Sequence, residues 1–236
     1  MTARTASALV PPGIAFAALS LVLVSLVWAL SERIYANATL PVALFLAVAG
    51  TAGAGLMRHY SHPALGACNV VTLLRAAIVS VLAGAIIAPP TSDLAYWCIC
   101  AAALLALSLD GLDGWLARRR GQSSGFGARF DMETDALLGG VLAVIAWQSG
   151  VAIIVLLLGF MRYVFVLTSW IWPWLSAPLP DNLRRKTVCV VQIAALIVLI
   201  APDVSWVASA LIAYGATALL AWSFAIDIAA LWRRRA

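Results

Sequence analysis

Half of the ten acidic residues, Asp110, Asp113, Asp131, Glu133 and Asp135, fall within 26 positions of this 236-residue chain. They stand in two strings, Asp110-Gly-Leu-Asp113-Gly114-Trp-Leu-Ala117-Arg118 and Gly127-Ala-Arg-Phe-Asp131-Met-Glu-Thr-Asp135. Residues three and four apart share a helix face, so Asp110 and Asp113 lie with Gly114 and Ala117. Gly127, Asp131 and Asp135 make a second such face, and Glu133 falls off it. Between them Arg119 to Phe126, with Gly121, Ser123, Ser124 and Gly125, reverses the chain. Four carboxylates therefore converge from two antiparallel helices, where Gly114 and Gly127 allow close approach of backbone or ligand.

Four carboxylates cannot stay ionised together near a bilayer unless cations balance them. An all-oxygen set without His or Cys selects hard divalent ions, Mg2+ or Mn2+. Arg118 beside them is a phosphate-pairing side chain. The natural ligand is then a phosphate or pyrophosphate bridged by metal, as in phosphoryl-transfer sites. The plain alternative, Asp and Arg residues that only pair to hold helices together, explains the spacing less well.

The elements that must position these groups are membrane helices. Hydrophobic residues make up 64% of the chain, charged residues only 11%, and mean hydropathy is +1.01, which excludes a soluble globular fold. Apolar runs fall at about 12–31, 40–57, 69–89, 94–117, 132–149, 150–172, 187–201 and 204–231, predicting an all-α, polytopic bundle of roughly eight spans. Ser31-Glu32-Arg33 with Asn37, residues 58–66, Pro89-Pro90, Ser149-Gly150, residues 173–181 and Pro202-Asp203 supply the breaks. Small residues Gly50, Gly53, Ala54 and Gly55 predict close packing of the second helix.

The formal charge of +5 reports orientation rather than nucleic-acid binding, and no nucleic-acid partner is expected. With the N-terminus inside, Arg4, Arg58, Arg118, Arg119, Arg120, Arg129, Arg184, Arg185, Lys186, Arg233, Arg234 and Arg235 are cytoplasmic, and only Arg33 lies in an outer loop. Both termini and the site are thus expected on the cytoplasmic side of the inner membrane. Trp28, Trp97, Trp147 and Trp206 mark the outer interface, and Trp115, Trp170, Trp172, Trp174 and Trp232 the inner one. Arg4, the first apolar stretch and Ala36-Asn37-Ala38 have features of a cleaved signal segment, but the stretch is long for one. Asn37-Ala38-Thr39 matches a short glycosylation sequon and carries no weight. Cys68, Cys98, Cys100 and Cys189 read as small hydrophobes, and His59 and His62 as solvent-facing. Asp93 and Asp203 suit helix starts.

The acidic stretch resembles the signature of the CDP-alcohol phosphatidyltransferase family, D-x2-D-G-x2-A-R-x8-G-x3-D-x3-D. Its fixed positions are Asp110, Asp113, Gly114, Ala117, Arg118, Gly127, Asp131 and Asp135. Asn69-Val-Val-Thr72-Leu73-Leu74-Arg75 is similar to a second family element, with Cys68 where a Pro is usual. The resemblance implies a six-helix core at residues 67–236, preceded by an extension at 1–66 with two added helices. It implies two metal ions held by Asp110, Asp113, Asp131 and Asp135, with Asp135 also the general base. A CDP-linked donor would meet Asn69, Thr72, Leu73, Leu74, Arg75, Gly114, Ala117, Arg118, Ser124 and Gly127. The implied reaction moves a phosphatidyl group from CDP-diacylglycerol to a small, optionally phosphorylated, alcohol and releases CMP.

In members that use phosphorylated acceptors, basic residues of later helices surround a phosphate, and Arg162, Arg184, Arg185 and Lys186 are the candidates here. The competing reading of the last three is simple anchoring to anionic lipid headgroups. Arg162, within a span, needs a partner, and Asp227 is one candidate. Ala136 replaces a Lys that many phosphatidylglycerophosphate synthases carry, which weakens that assignment. Family members are commonly homodimers. Two other readings are transfer of a phospho-alcohol from a soluble CDP-alcohol to diacylglycerol, and a divalent-cation transporter. Carboxylates grouped at one interface beside Arg118 disfavour the transporter.

Overall fold

A computed structural model describes the backbone of residues 10–120, 124–177 and 182–234, and side chains over the same residues except 112–120. The described residues are helical, with no strand. The elements are α1 (Pro12–Tyr35), α2 (Thr39–His59), α3 (Ala67–Leu82), α4 (Gly84–Ile87), α5 (Asp93–Arg120), α6 (Gly125–Gln148), α7 (Val155–Ile171), a 3-10 turn at Pro173–Ser176, α8 (Leu183–Ile200) and α9 (Trp206–Arg233). Each expected apolar run becomes helix, the third divided between α3 and the short α4.

Five stretches are long and apolar enough to cross a membrane: Pro12–Tyr35, Thr39–His59, Ala67–Ile87, Asp93–Gly111 and Trp206–Arg233. The apolar α7 is shorter, at 17 residues. α6 and α8 carry ionisable residues that hydropathy counts against a span. For the same reason hydropathy starts the fifth run at 132, whereas α6 begins at Gly125. Ser124 caps it there, its Oγ accepting the Gly127 N–H at 3.0 Å. Asn182 likewise starts α8 ahead of the apolar run by accepting the Arg184 N–H at 3.0 Å.

The chain forms two compact units. The first comprises Met1–Ala88 and Ser108–Thr134. Here α1 and α2 run together and both pack on α3. Their connection is short: Ala36 adopts a left-handed conformation with φ 51°, and the Asn37 Oδ1 accepts the Thr39 N–H at 2.9 Å to begin α2. The core contains Phe16, Leu23, Val27, Phe45, Ala49, Ala52, Leu56, Leu73 and Ala77, together with Phe126 and Phe130 from the start of α6. Because lipid is as apolar as these side chains, close packing rather than exclusion from water holds such helices together. A Cβ on Gly53 would stand 3.6 Å from the Phe16 ring, and one on Gly55 3.4 Å from the Phe126 ring. Gly50 and Ala54 are exposed instead.

The second unit comprises Pro89–Leu107 and Asp135–Ala236. α8 lies along α9, and α7 packs on both. Gly159 permits a tight crossing of α6 and α7, since a Cβ there would come 2.7 Å from the Gly139 carbonyl oxygen. The Gln192 amide donates to the Leu158 carbonyl, joining α8 to α7. Trp28, Trp97, Trp147, Trp170, Trp172, Trp206 and Trp232 are all exposed.

Candidate functional site

α3 presents Asn69, Thr72 and Arg75 at intervals of three, and all three are buried. A polar side chain in an apolar helix needs a partner. Thr72 donates its hydroxyl proton to the Cys68 carbonyl at 2.9 Å. The neighbours in the same motif diverge: Leu73 is fully buried in the core of the first unit, and Leu74 is 38% exposed.

Arg75 has no exposed side-chain surface and is the largest fully buried side chain described. Its Nη1 lies 3.2 Å from an Asp110 carboxylate oxygen and donates to Asp131 Oδ1. One guanidinium thus draws together carboxylates from α5 and α6 that are 21 positions apart in sequence. Deleting one partner of such a buried cluster leaves uncompensated charge, so its members depend on each other. Asp110 and Asp131 can offer carboxylate oxygens within 4.8 Å of one another, and Asp131 and Asp135, one turn apart on α6, can do so within the same limit. An all-carboxylate donor set at this spacing fits a hard divalent cation. Glu133 is exposed on a different face of α6.

Beside this cluster the first turns of α3 and α6 meet. Asn69 is only 1% exposed, and its Nδ2 has no hydrogen-bond partner among the described residues. A Cβ on Gly127 would stand 2.9 Å from Asn69 Oδ1 and 3.1 Å from Ser124 Oγ, so only glycine fits the present arrangement without a shift. Two helix N-termini, each with partial positive charge, and an unfilled amide donor suit an anionic or carbonyl-bearing ligand. Ser124 serves α6 as its cap, a local role that its loop position in the signature did not announce.

Asp113, Gly114, Ala117 and Arg118 lie on α5 within 112–120, where side chains are outside the described residues. Of the basic residues considered for an acceptor, Arg184 is held within its own unit. Its Nη1 donates to the Ser223 carbonyl at 2.6 Å and to Ser223 Oγ at 2.8 Å, its Nη2 donates to Asp227, and the guanidinium lies 5.9 Å from the Trp222 ring centre. Asp227, the candidate partner of Arg162 in the sequence, pairs with Arg184, which lies on α8 two residues after the Asn182 cap. No local spacing links the two, 43 positions apart. Arg162 and Arg185 are half-buried and Lys186 is exposed. His59 is exposed and His62 packs on the Tyr60 ring at 5.3 Å. The four cysteines form no disulfide among the described residues.

The family model for CDP-alcohol phosphatidyltransferase matches residues 65–226. The chain belongs to the CDP-alcohol phosphatidyltransferase family, a family of phosphotransferases, and it is a multi-pass integral membrane member. The match begins just before α3 and spans the acidic cluster and the basic start of α8. No solved structure matches the chain.

Proposed function

We propose that the protein transfers a phosphatidyl group from CDP-diacylglycerol to a small alcohol and releases CMP. The observation that carries this reading is the complete carboxylate signature, with Asp110 and Asp131 gathered on Arg75 beside the unfilled Asn69 amide. Asp110, Asp113, Asp131 and Asp135 would hold two divalent ions, Mg2+ or Mn2+. Bound there, such ions would supply positive charge to the donor pyrophosphate and to the departing CMP.

The chain's own residues do the rest. Asn69, Thr72 and Arg75 on α3, with Gly114, Ala117, Arg118, Ser124 and Gly127 of the signature, form the donor side of the site. Arg75 is positioned to exchange a carboxylate partner for a phosphate oxygen, a trade that keeps its buried charge balanced throughout. Asp135 accepts the proton of the acceptor hydroxyl as its oxygen forms a bond to the phosphatidyl phosphorus. The bond from that phosphorus to the CMP oxygen breaks in the same exchange. Arg162, Arg185 and Lys186 are the basic residues that would meet a phosphorylated acceptor, with Arg184 contributing once released from Asp227. Residues 1–66 are an addition to a family domain at 67–236, and the site opens to the cytoplasm of the inner membrane, where the positive charge concentrates.

Purified protein incubated with CDP-diacylglycerol, Mn2+ or Mg2+ and a panel of alcohols should release CMP with at least one acceptor. Absence of CMP with every acceptor would overturn the reading. Supplying a soluble CDP-alcohol and diacylglycerol instead tests the opposite partition, and activity confined to that pair would replace the donor assigned here.

A further inference from the structure

We propose that the α1–α2 hairpin acts on the site through Tyr60, a positioning residue that sets the donor-binding ends of α3 and α6. The inference rests on the donor site proposed above. Tyr60 immediately follows α2, where the backbone turns extended. Its hydroxyl donates to the Ala64 carbonyl at 3.0 Å and accepts the Gly66 N–H at 2.9 Å. Gly66 is the N-cap of α3, and its carbonyl accepts the Asn69 N–H at 3.0 Å. One phenol therefore fixes the turn from which Asn69 projects.

The same side chain reaches α6. Its ring meets Phe126 edge-on at 5.8 Å, Phe126 stacks on Phe130 at 5.9 Å, and Phe130 meets Phe16 of α1 at 6.3 Å. Phe126 precedes Gly127 and Phe130 precedes Asp131, so this ladder of rings fixes the turn of α6 that faces Asn69. Edge-to-face and offset-stacked contacts set how these rings meet. The two hydrogen bonds at the hydroxyl tie the ring ladder to the α3 turn, and with it the close approach of Asn69 to Gly127, where a Cβ would stand 2.9 Å from Asn69 Oδ1.

The test uses the full chain in detergent with Mn2+, titrated with CDP by calorimetry. Tyr60→Phe keeps the ring and removes the hydroxyl. It should weaken CDP binding roughly three- to ten-fold, while Mn2+ affinity stays at the parent value and the CDP-free thermal midpoint falls by only a few degrees. Tyr214→Phe, at an exposed tyrosine of α9, is the control. Unchanged CDP affinity in Tyr60→Phe overturns the proposal, and so does a parallel fall of CDP affinity, Mn2+ affinity and midpoint, which marks a merely structural role. If Tyr60→Phe does not fold, Phe126→Leu decides the matter by the same criteria. A parent protein that binds no CDP would instead overturn the donor site itself, a distinct result.

Discussion

Replacing Arg75 with Met should make the protein less stable and yet bind metal more tightly. The guanidinium lies 3.2 Å from Asp110, where a unit-charge attraction is worth about 5 kcal/mol at an effective dielectric constant near 20. Desolvation offsets part of this, and deleting one member of a buried pair costs roughly 3–5 kcal/mol. Since Asp110 and Asp131 retain 25% and 34% side-chain exposure, the lower end, about 3 kcal/mol, applies to the metal-free protein. Divalent cations bound as proposed would neutralise the same oxygens. If they recover about 2 kcal/mol of the loss, the thermodynamic cycle returns that amount as metal affinity, roughly thirty-fold. Mn2+ titration of parent and Arg75→Met, with thermal unfolding in chelator and in Mn2+, reads both sides of the cycle. Mn2+ affinity that is unchanged or weaker, or a stability loss equal in chelator and in Mn2+, would refute the argument that Arg75 balances the metal-binding carboxylates.

Three further substitutions probe separate parts of the site. Asp135→Asn should lower CMP release at least about a hundred-fold, the usual weight of a general base, while calorimetry still detects CDP binding in Mn2+; turnover near the parent rate would remove Asp135 from proton transfer. Gly127→Ala puts a methyl 2.9 Å from Asn69 Oδ1, so CDP affinity should fall about ten-fold. Its stability should stay within about 1 kcal/mol, because the better helix propensity of Ala offsets the crowding. Asp227→Asn should cost about 3 kcal/mol by stripping Arg184 of its counter-charge and leave Mn2+ affinity alone. A thermal midpoint equal to that of the parent would show that the Arg184 pair does not support the fold.

The sequence was most readable where physics acts along one helix. Intervals of four among Gly127, Asp131 and Asp135 mark a common face whatever surrounds it, and they place helix in residues that hydropathy passes over. Apolar runs likewise locate the helices, because the bilayer imposes length and composition on each one separately. What escaped the sequence is chosen between helices. Arg75 lies in a motif suggesting a donor contact, but its carboxylate partners come from two other helices. Asp227 pairs with Arg184, 43 positions away, through the packing of α8 along α9. Tyr60 carries no motif at all; its role emerges from a hydroxyl shared with Gly66 and a ring shared with Phe126.

The short connection between α1 and α2 bears on biogenesis. Ala36 and Asn37 close this hairpin using only neighbouring residues, so its contacts are local in sequence and form quickly. Because synthesis proceeds from the N-terminus, the pair can enter the bilayer and zip together while the acidic stretch is still inside the ribosome. Phe126 and Phe130 then arrive at a wall already built. The two helices ahead of the family match thereby give the most charge-laden part of the chain, which inserts least readily by itself, a finished surface on which to settle.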